Sequence, residues 1–118
     1  MSLEASDIAW YKSYTEASAA AKKAKKPMVV YLHSECGACK YLDMKVFNDK
    51  GIIAYMNDHF VAVSLSLKND APKNLQVAVA PVFHYLNYDG TPIQDDLIGA
   101  TPASSFLNDL KTASKMSK

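Results

Sequence analysis

The chain has 118 residues, 49% hydrophobic and 21% charged, the balance of one folded globular domain and too apolar for a disordered segment. Thirteen basic and twelve acidic residues leave a net charge of +1, too weak a field to steer nucleic acid or an anionic membrane. No apolar run is longer than that at 28–32, which falls far short of the ~20 residues of a membrane helix, so no direct membrane insertion is expected.

The opening Met1-Ser2-Leu3 reads as an expression-vector scar ahead of a single domain over 4–118, and a secretory signal or anchor is compatible with such a start. Asp7 is expected to cap a helix along which Trp10, Tyr14, Ala17, Ala21 and Ala24 recur at steps of four and three. Lys22, Lys23, Lys25 and Lys26 suit the negative end of that helix. After Pro27, Met28-Val29-Val30-Tyr31-Leu32 is short, β-rich and apolar on both faces, the pattern of a buried central strand. It delivers the chain to Cys36-Gly37-Ala38-Cys39. From there Cys39, Leu42, Val46, Ile53 and Met56 form a helical stripe, with Asn48-Asp49-Lys50-Gly51 as a break or kink.

Residues 60–67 predict a second strand, 69–73 a polar loop, and 74–79 carry no clear pattern. A third strand over 81–86, a hairpin turn at Asn87-Tyr88-Asp89-Gly90 and a fourth strand over 93–98 follow. Thr101 is expected to cap a last helix with Pro102 at its first position and Phe106, Leu107 and Leu110 facing inward. A βαβ half joined to a ββα half predicts an α/β fold: a central mixed four-stranded sheet flanked by helices on both faces. Cys36 then lies at the carboxyl edge of a central strand, where such folds place their sites.

The only two cysteines are too few and too close to staple a scaffold, since a bridge between them closes almost no loop. Their adjacency points to chemistry. At the start of a helix the two thiols share one face, within the reach of a disulfide. Cys36 meets the unpaired amides and positive dipole of the helix start, which favour its thiolate, while Cys39 sits one turn inside. Cys36 is therefore expected to attack a substrate disulfide, and Cys39 to resolve the mixed disulfide. A closed zinc site needs about four ligands, and beyond this pair the chain supplies only the scattered His33, His59 and His84, so no metal is expected. A pair of inert core cysteines is the other alternative to a redox role. His33, three residues before Cys36, is a candidate for the rim of the site, against the plainer role of a strand-end histidine. Tyr11, Tyr14, Tyr41, Tyr55, Tyr85 and Tyr88 are expected to pack in the core or at its rim.

The strand 28–32, the segment Cys36-Gly37-Ala38-Cys39-Lys40, the run Val79-Ala80-Pro81-Val82-Phe83, Asp89-Gly90, and Gly99 ahead of the last helix together resemble the thioredoxin superfamily. The likeness covers nearly the whole chain from Pro27, and residues 34–67 are most similar to bacterial periplasmic thiol reductase domains. The resemblance implies a thioredoxin fold and a cis Pro81 set against the cysteine pair. It also implies an Ala80 backbone that pairs with an extended substrate, a mode that gives affinity without demanding a particular side chain. Three departures stand out: Glu35 where the family has tryptophan, Ala38 where it has proline, and Val30 where thioredoxin has a buried aspartate. Without that carboxylate, Lys40, Glu35 or water is left to handle the proton of Cys39. A negative Glu35 beside Cys36 should disfavour its thiolate, predicting a moderately reducing pair.

The function expected is thus a thiol–disulfide oxidoreductase that reduces or isomerises disulfides in protein substrates, with a part in cell redox homeostasis. No bound cofactor is expected, and with no G-x-G-x-x-G fingerprint the electrons would come from a separate reductase. A non-catalytic redox-responsive binding module is the alternative; a copper carrier is a third idea that the close cysteine spacing disfavours. The resemblance favours the bacterial periplasm or cell envelope, with a cytoplasmic reductant as the alternative.

Overall fold

The structure, a computed structural model, describes residues 7–67, 72–75, 77 and 79–118. The expected scar at 1–3, the start of the expected domain at 4–6 and positions 69–71 of the expected polar loop lie outside them.

Five strands form one mixed sheet: β1 (Trp10–Tyr11), β2 (Met28–His33), β3 (Val61–Ser66), β4 (Val82–Leu86) and β5 (Leu97–Ile98), in the order β1-β3-β2-β4-β5. β1 and β2 both run parallel to β3, whereas β4 runs antiparallel to β2 and β5 antiparallel to β4. Four helices complete the chain: α1 (Tyr14–Ala24), α2 (Gly37–Lys45), α3 (Lys50–His59) and α4 (Ala103–Met116), with a 3-10 turn at Lys73–Leu75.

β2 is central because both of its faces are apolar. Val29 and Tyr31 point to the side covered by α2, α3 and α4, where Leu42, Val46, Ile52, Met56, Phe106 and Leu110 close a core. Met28, Val30 and Leu32 point to the opposite side, against Ala17 and Ala21 of α1 and Val63 and Leu65 of β3. Alternation along one strand thus feeds two cores, the arrangement that buries a parallel-type strand completely. The break expected at 48–51 separates α2 from α3, and the Asp49 carboxylate caps α3 by accepting the Ile52 amide at 3.1 Å.

Three expectations need correction. The helix expected from Asp7 starts only at Tyr14, because the Ser13 hydroxyl caps it by accepting the Glu16 amide at 3.3 Å. Trp10 instead opens a fifth, edge strand beside β3, and its ring packs on Phe47 at 5.2 Å and Tyr31 at 5.6 Å. The fourth strand expected over 93–98 contracts to Leu97–Ile98 beside an isolated bridge from Leu86 to Pro92; Pro92 has no amide to extend a ladder, and Asp96 turns to a side-chain partner. Thr101 does not cap α4: Pro102 holds the cap position without a side-chain bond, and the Thr101 hydroxyl donates to the Pro102 carbonyl at 3.4 Å.

Candidate redox site

β2 ends at His33 and α2 begins at Gly37, so Ser34, Glu35 and Cys36 make the turn between them at the carboxyl edge of the sheet. Cys36 is the N-cap of α2. Its extended backbone turns the sulfur back over the first turn, where it accepts the Cys39 amide at 3.1 Å. A thiol in the place usually taken by serine or aspartate thereby satisfies an orphan donor of the helix.

Both cysteines are free thiols, Cys36 half-buried and Cys39 only 4% exposed. Their environments push them apart. Hydrogen bonding from the Cys39 thiol is the main cause holding Cys36 below the ordinary thiol range, against some desolvation and with help from the Cys39 and Ala38 amides and the Ser34 side chain. Burial is the main cause raising Cys39, reinforced by its bond to the Cys36 sulfur and opposed by the Ser34 backbone and the Tyr31 hydroxyl. The outer sulfur is the more acidic and the inner one is held as a thiol.

The Ala80–Pro81 peptide is cis and lies against the pair: the Cys36 thiol points at the Ala80 carbonyl at 3.9 Å, with Pro81 buried behind it. The Pro81 carbonyl accepts the Gly99 amide at 2.8 Å, tying this segment to the end of β5. His33, Ser34, Glu35 and Ser66 line a cleft of about 680 Å³ alongside. Glu35 and Lys40 are exposed, and neither is among the groups acting most strongly on either thiol. The His33 ring packs at a tilt against Tyr31, ring centroids 5.3 Å apart. A Cβ built on Gly37 would meet nothing within 4 Å. Among the described residues no three His, Cys, Asp or Glu side chains converge as metal ligands.

Sequence reasoning passed over three residues here. The Ser34 side chain helps to hold the Cys36 thiol low, and the Tyr31 hydroxyl partly offsets the rise of Cys39. His84, buried in β4 opposite Val30, donates from Nε2 to the Leu75 carbonyl at 3.0 Å and meets Asp96 through Nδ1 at 2.8 Å. It thereby joins the segment ahead of Ala80 to the strand pair behind it. The serine beside the motif was a visible signal; the other two depend on contacts that spacing alone does not show.

A mixed sheet that presents a Cys-x-x-Cys pair at a strand-to-helix junction, beside a cis-proline, defines the class: an α/β protein with the scaffold of thiol–disulfide oxidoreductases. The chain belongs to the thioredoxin-like family, whose model matches residues 9–93. It is similar to a thioredoxin from Thermus thermophilus, with 28% identity, 90% of this chain and 86% of that one covered, and a TM-score of 0.76. A candidate disulphide-isomerase from Bacteroides thetaiotaomicron matches at 28% identity over 94% of this chain and 96% of its own, with a TM-score of 0.77. The reduced C-terminal domain of DsbD from Neisseria meningitidis shares the fold at 16% identity, with 84% and 91% covered and a TM-score of 0.70. No curated protein sequence matches. No helix among the described residues is long and apolar enough to cross a membrane.

Proposed function

We propose that this chain reduces or isomerises disulfides in protein substrates, with Cys36 as nucleophile and Cys39 as resolving thiol. The observation that carries the reading is the Cys36 sulfur at the mouth of α2, accepting an amide at 3.1 Å and made more acidic than an ordinary thiol, with a buried thiol one turn behind. The Cys36 thiolate attacks one sulfur of the substrate bridge; that S–S bond breaks and the released substrate sulfur takes up a proton. Cys39 then attacks the Cys36 sulfur, freeing the second substrate thiol and leaving a Cys36–Cys39 bridge. Two electrons have passed to the substrate, and a separate reductase restores the dithiol.

An extended substrate segment pairs with the Ala80 backbone beside Pro81, which brings its bridge to Cys36. His33 and Glu35 border the cleft next to the nucleophile, and Lys40 follows the pair on α2; these three modulate the reaction from the rim. The likeness to the DsbD domain supports a place in the bacterial periplasm or cell envelope.

Reduction of insulin with a thiol reductant is the test. Turnover that is abolished by Cys36→Ser, with a trapped mixed disulfide in Cys39→Ser, is the expected result. A pair that oxidises and reduces reversibly without turnover would instead make the chain a redox-responsive binding module. A reduction potential between about −300 and −120 mV is expected, measured against glutathione buffers.

A further inference from the structure

We infer that His84 is a positioning residue that clamps the substrate-pairing segment Ala80–Pro81 only while both of its ring nitrogens carry a proton, so that disulfide exchange weakens when one is lost. The inference rests on the oxidoreductase reading above. The two bonds of the ring require this state. Nε2 lies 3.0 Å from the Leu75 carbonyl and Nδ1 lies 2.8 Å from an oxygen of the Asp96 carboxylate, and both partners are acceptors. A neutral imidazole has one N–H and one lone pair, so it serves one acceptor and turns the lone pair on the other. Only the imidazolium donates to both.

The surroundings of the ring supply no other charged partner. His84 is 6% exposed and sits in β4 opposite Val30 of β2. The core on this face of the sheet is built of Ala17 and Ala21 from α1, Val30 and Leu32 from β2, and Val63 and Leu65 from β3, with the phenols of Tyr14 and Tyr88 at its margin. Lys73 of the 3-10 turn and Asp95 beside Asp96 are exposed. Among the described residues Asp96 is the one charged side chain that bonds the ring, at the distance of a charge-assisted pair.

The two bonds reach both flanks of the segment. Leu75 stands five residues ahead of Ala80, and Asp96 precedes β5, whose Ile98 and Leu97 pair with Val82 and Phe83. Just beyond, the Gly99 amide donates to the Pro81 carbonyl at 2.8 Å. One ring thus ties to β4 both the approach to the segment and the strand that grips its far end. When the ring loses a proton, the one that stays is on Nε2, because the Leu75 bond is buried, whereas the Asp96 side chain is 41% exposed and turns to water. The Nδ1 proton goes to solvent. The β5 side of the clamp is released, and the hold of Gly99 on Pro81 loosens.

Asp96→Asn separates the proton requirement from simple packing. The side-chain amide of Asp96→Asn donates to a neutral Nδ1 while Nε2 still donates to Leu75, so both bonds survive without the second ring proton. The nitrogen NMR signals of the His84 ring and kcat/KM for insulin reduction are measured on the unsubstituted protein and this variant from about pH 5 to about pH 8. In the unsubstituted protein both ring nitrogens are expected to carry protons at the acid end and Nε2 alone at the alkaline end, with the Gly99 amide signal moving at the same midpoint. The ratio of its kcat/KM to that of Asp96→Asn cancels the titration of Cys36 and should fall about threefold through that midpoint. A ring that keeps the same number of protons across the range overturns the inference, as does a ratio that stays constant. If the unsubstituted protein reduces no insulin at any pH, the oxidoreductase reading falls and the effect on exchange with it, whereas the ring and Gly99 signals still uphold or overturn the clamp itself.

Discussion

Replacing His84 by leucine tests whether the segment ahead of the cis-proline is held by a buried side chain. His84→Leu keeps most of the bulk in β4 and removes two bonds, to the Leu75 carbonyl at 3.0 Å and to Asp96 at 2.8 Å. The two losses are unequal. The Leu75 bond is buried, and an orphaned buried carbonyl costs about 1–3 kcal/mol. The Asp96 side chain is 41% exposed and regains water, so its share is only about 0–1 kcal/mol after screening. Leucine recovers part of this through its own burial, and a net loss of about 1–3 kcal/mol is expected. With a urea slope of about 1–3 kcal/mol per molar, the unfolding midpoint should drop by about 1 M at unchanged slope. Asp96→Asn, whose amide oxygen still accepts a bond, should cost less than about 1 kcal/mol. A His84→Leu protein as stable as its parent, or an Asp96→Asn loss as large as that of His84→Leu, would refute this account.

Two further outcomes follow from the local chemistry. The Cys36 thiol is held low, so its rate of alkylation should reach half-maximum below the ordinary thiol value of about 8.5 and fall as the pH drops through the lowered value. Cys39→Ala removes the main donor to that sulfur and should move the midpoint upward, measured by mass spectrometry across a pH series; no upward movement argues against the donor. The Tyr85 hydroxyl is buried with no hydrogen-bond partner among the described residues, so Tyr85→Phe should stabilise the protein by about 1 kcal/mol in urea denaturation. A loss of stability there would show that a bound water satisfies the hydroxyl.

The elements that sequence reading captured best are those whose pattern is local. β2 stands out because five apolar residues in a row, Met28 to Leu32, suit a strand covered on both faces. The break between α2 and α3 is written in Asn48-Asp49-Lys50-Gly51, and the cysteines carry their own spacing. Trp10 misled because it stands four residues before Tyr14, a helical spacing, while its real partners are Phe47 and Tyr31, far along the chain. The signal that corrects it was present in Ser13 and Glu16, a serine with a glutamate three residues later. Tyr31 was hidden for a different reason. In a strand buried on both faces nothing marks which side meets the cysteine helix, so a residue that acts on the inner thiol looks like one more core aromatic. The His84 contacts depend on how the 3-10 turn and the approach to β5 fold back over β4, which no short window contains.

The empty space above Gly37 has a consequence for how such a site changes over generations. A Cβ added at this exposed position between the sulfurs meets no neighbour within 4 Å, so a side chain can begin there without displacing the scaffold. Chemical tuning of the pair at this position is thus mechanically separate from the integrity of the scaffold. Lineages can explore new electron-transfer tendencies one substitution at a time while the interior stays as it was.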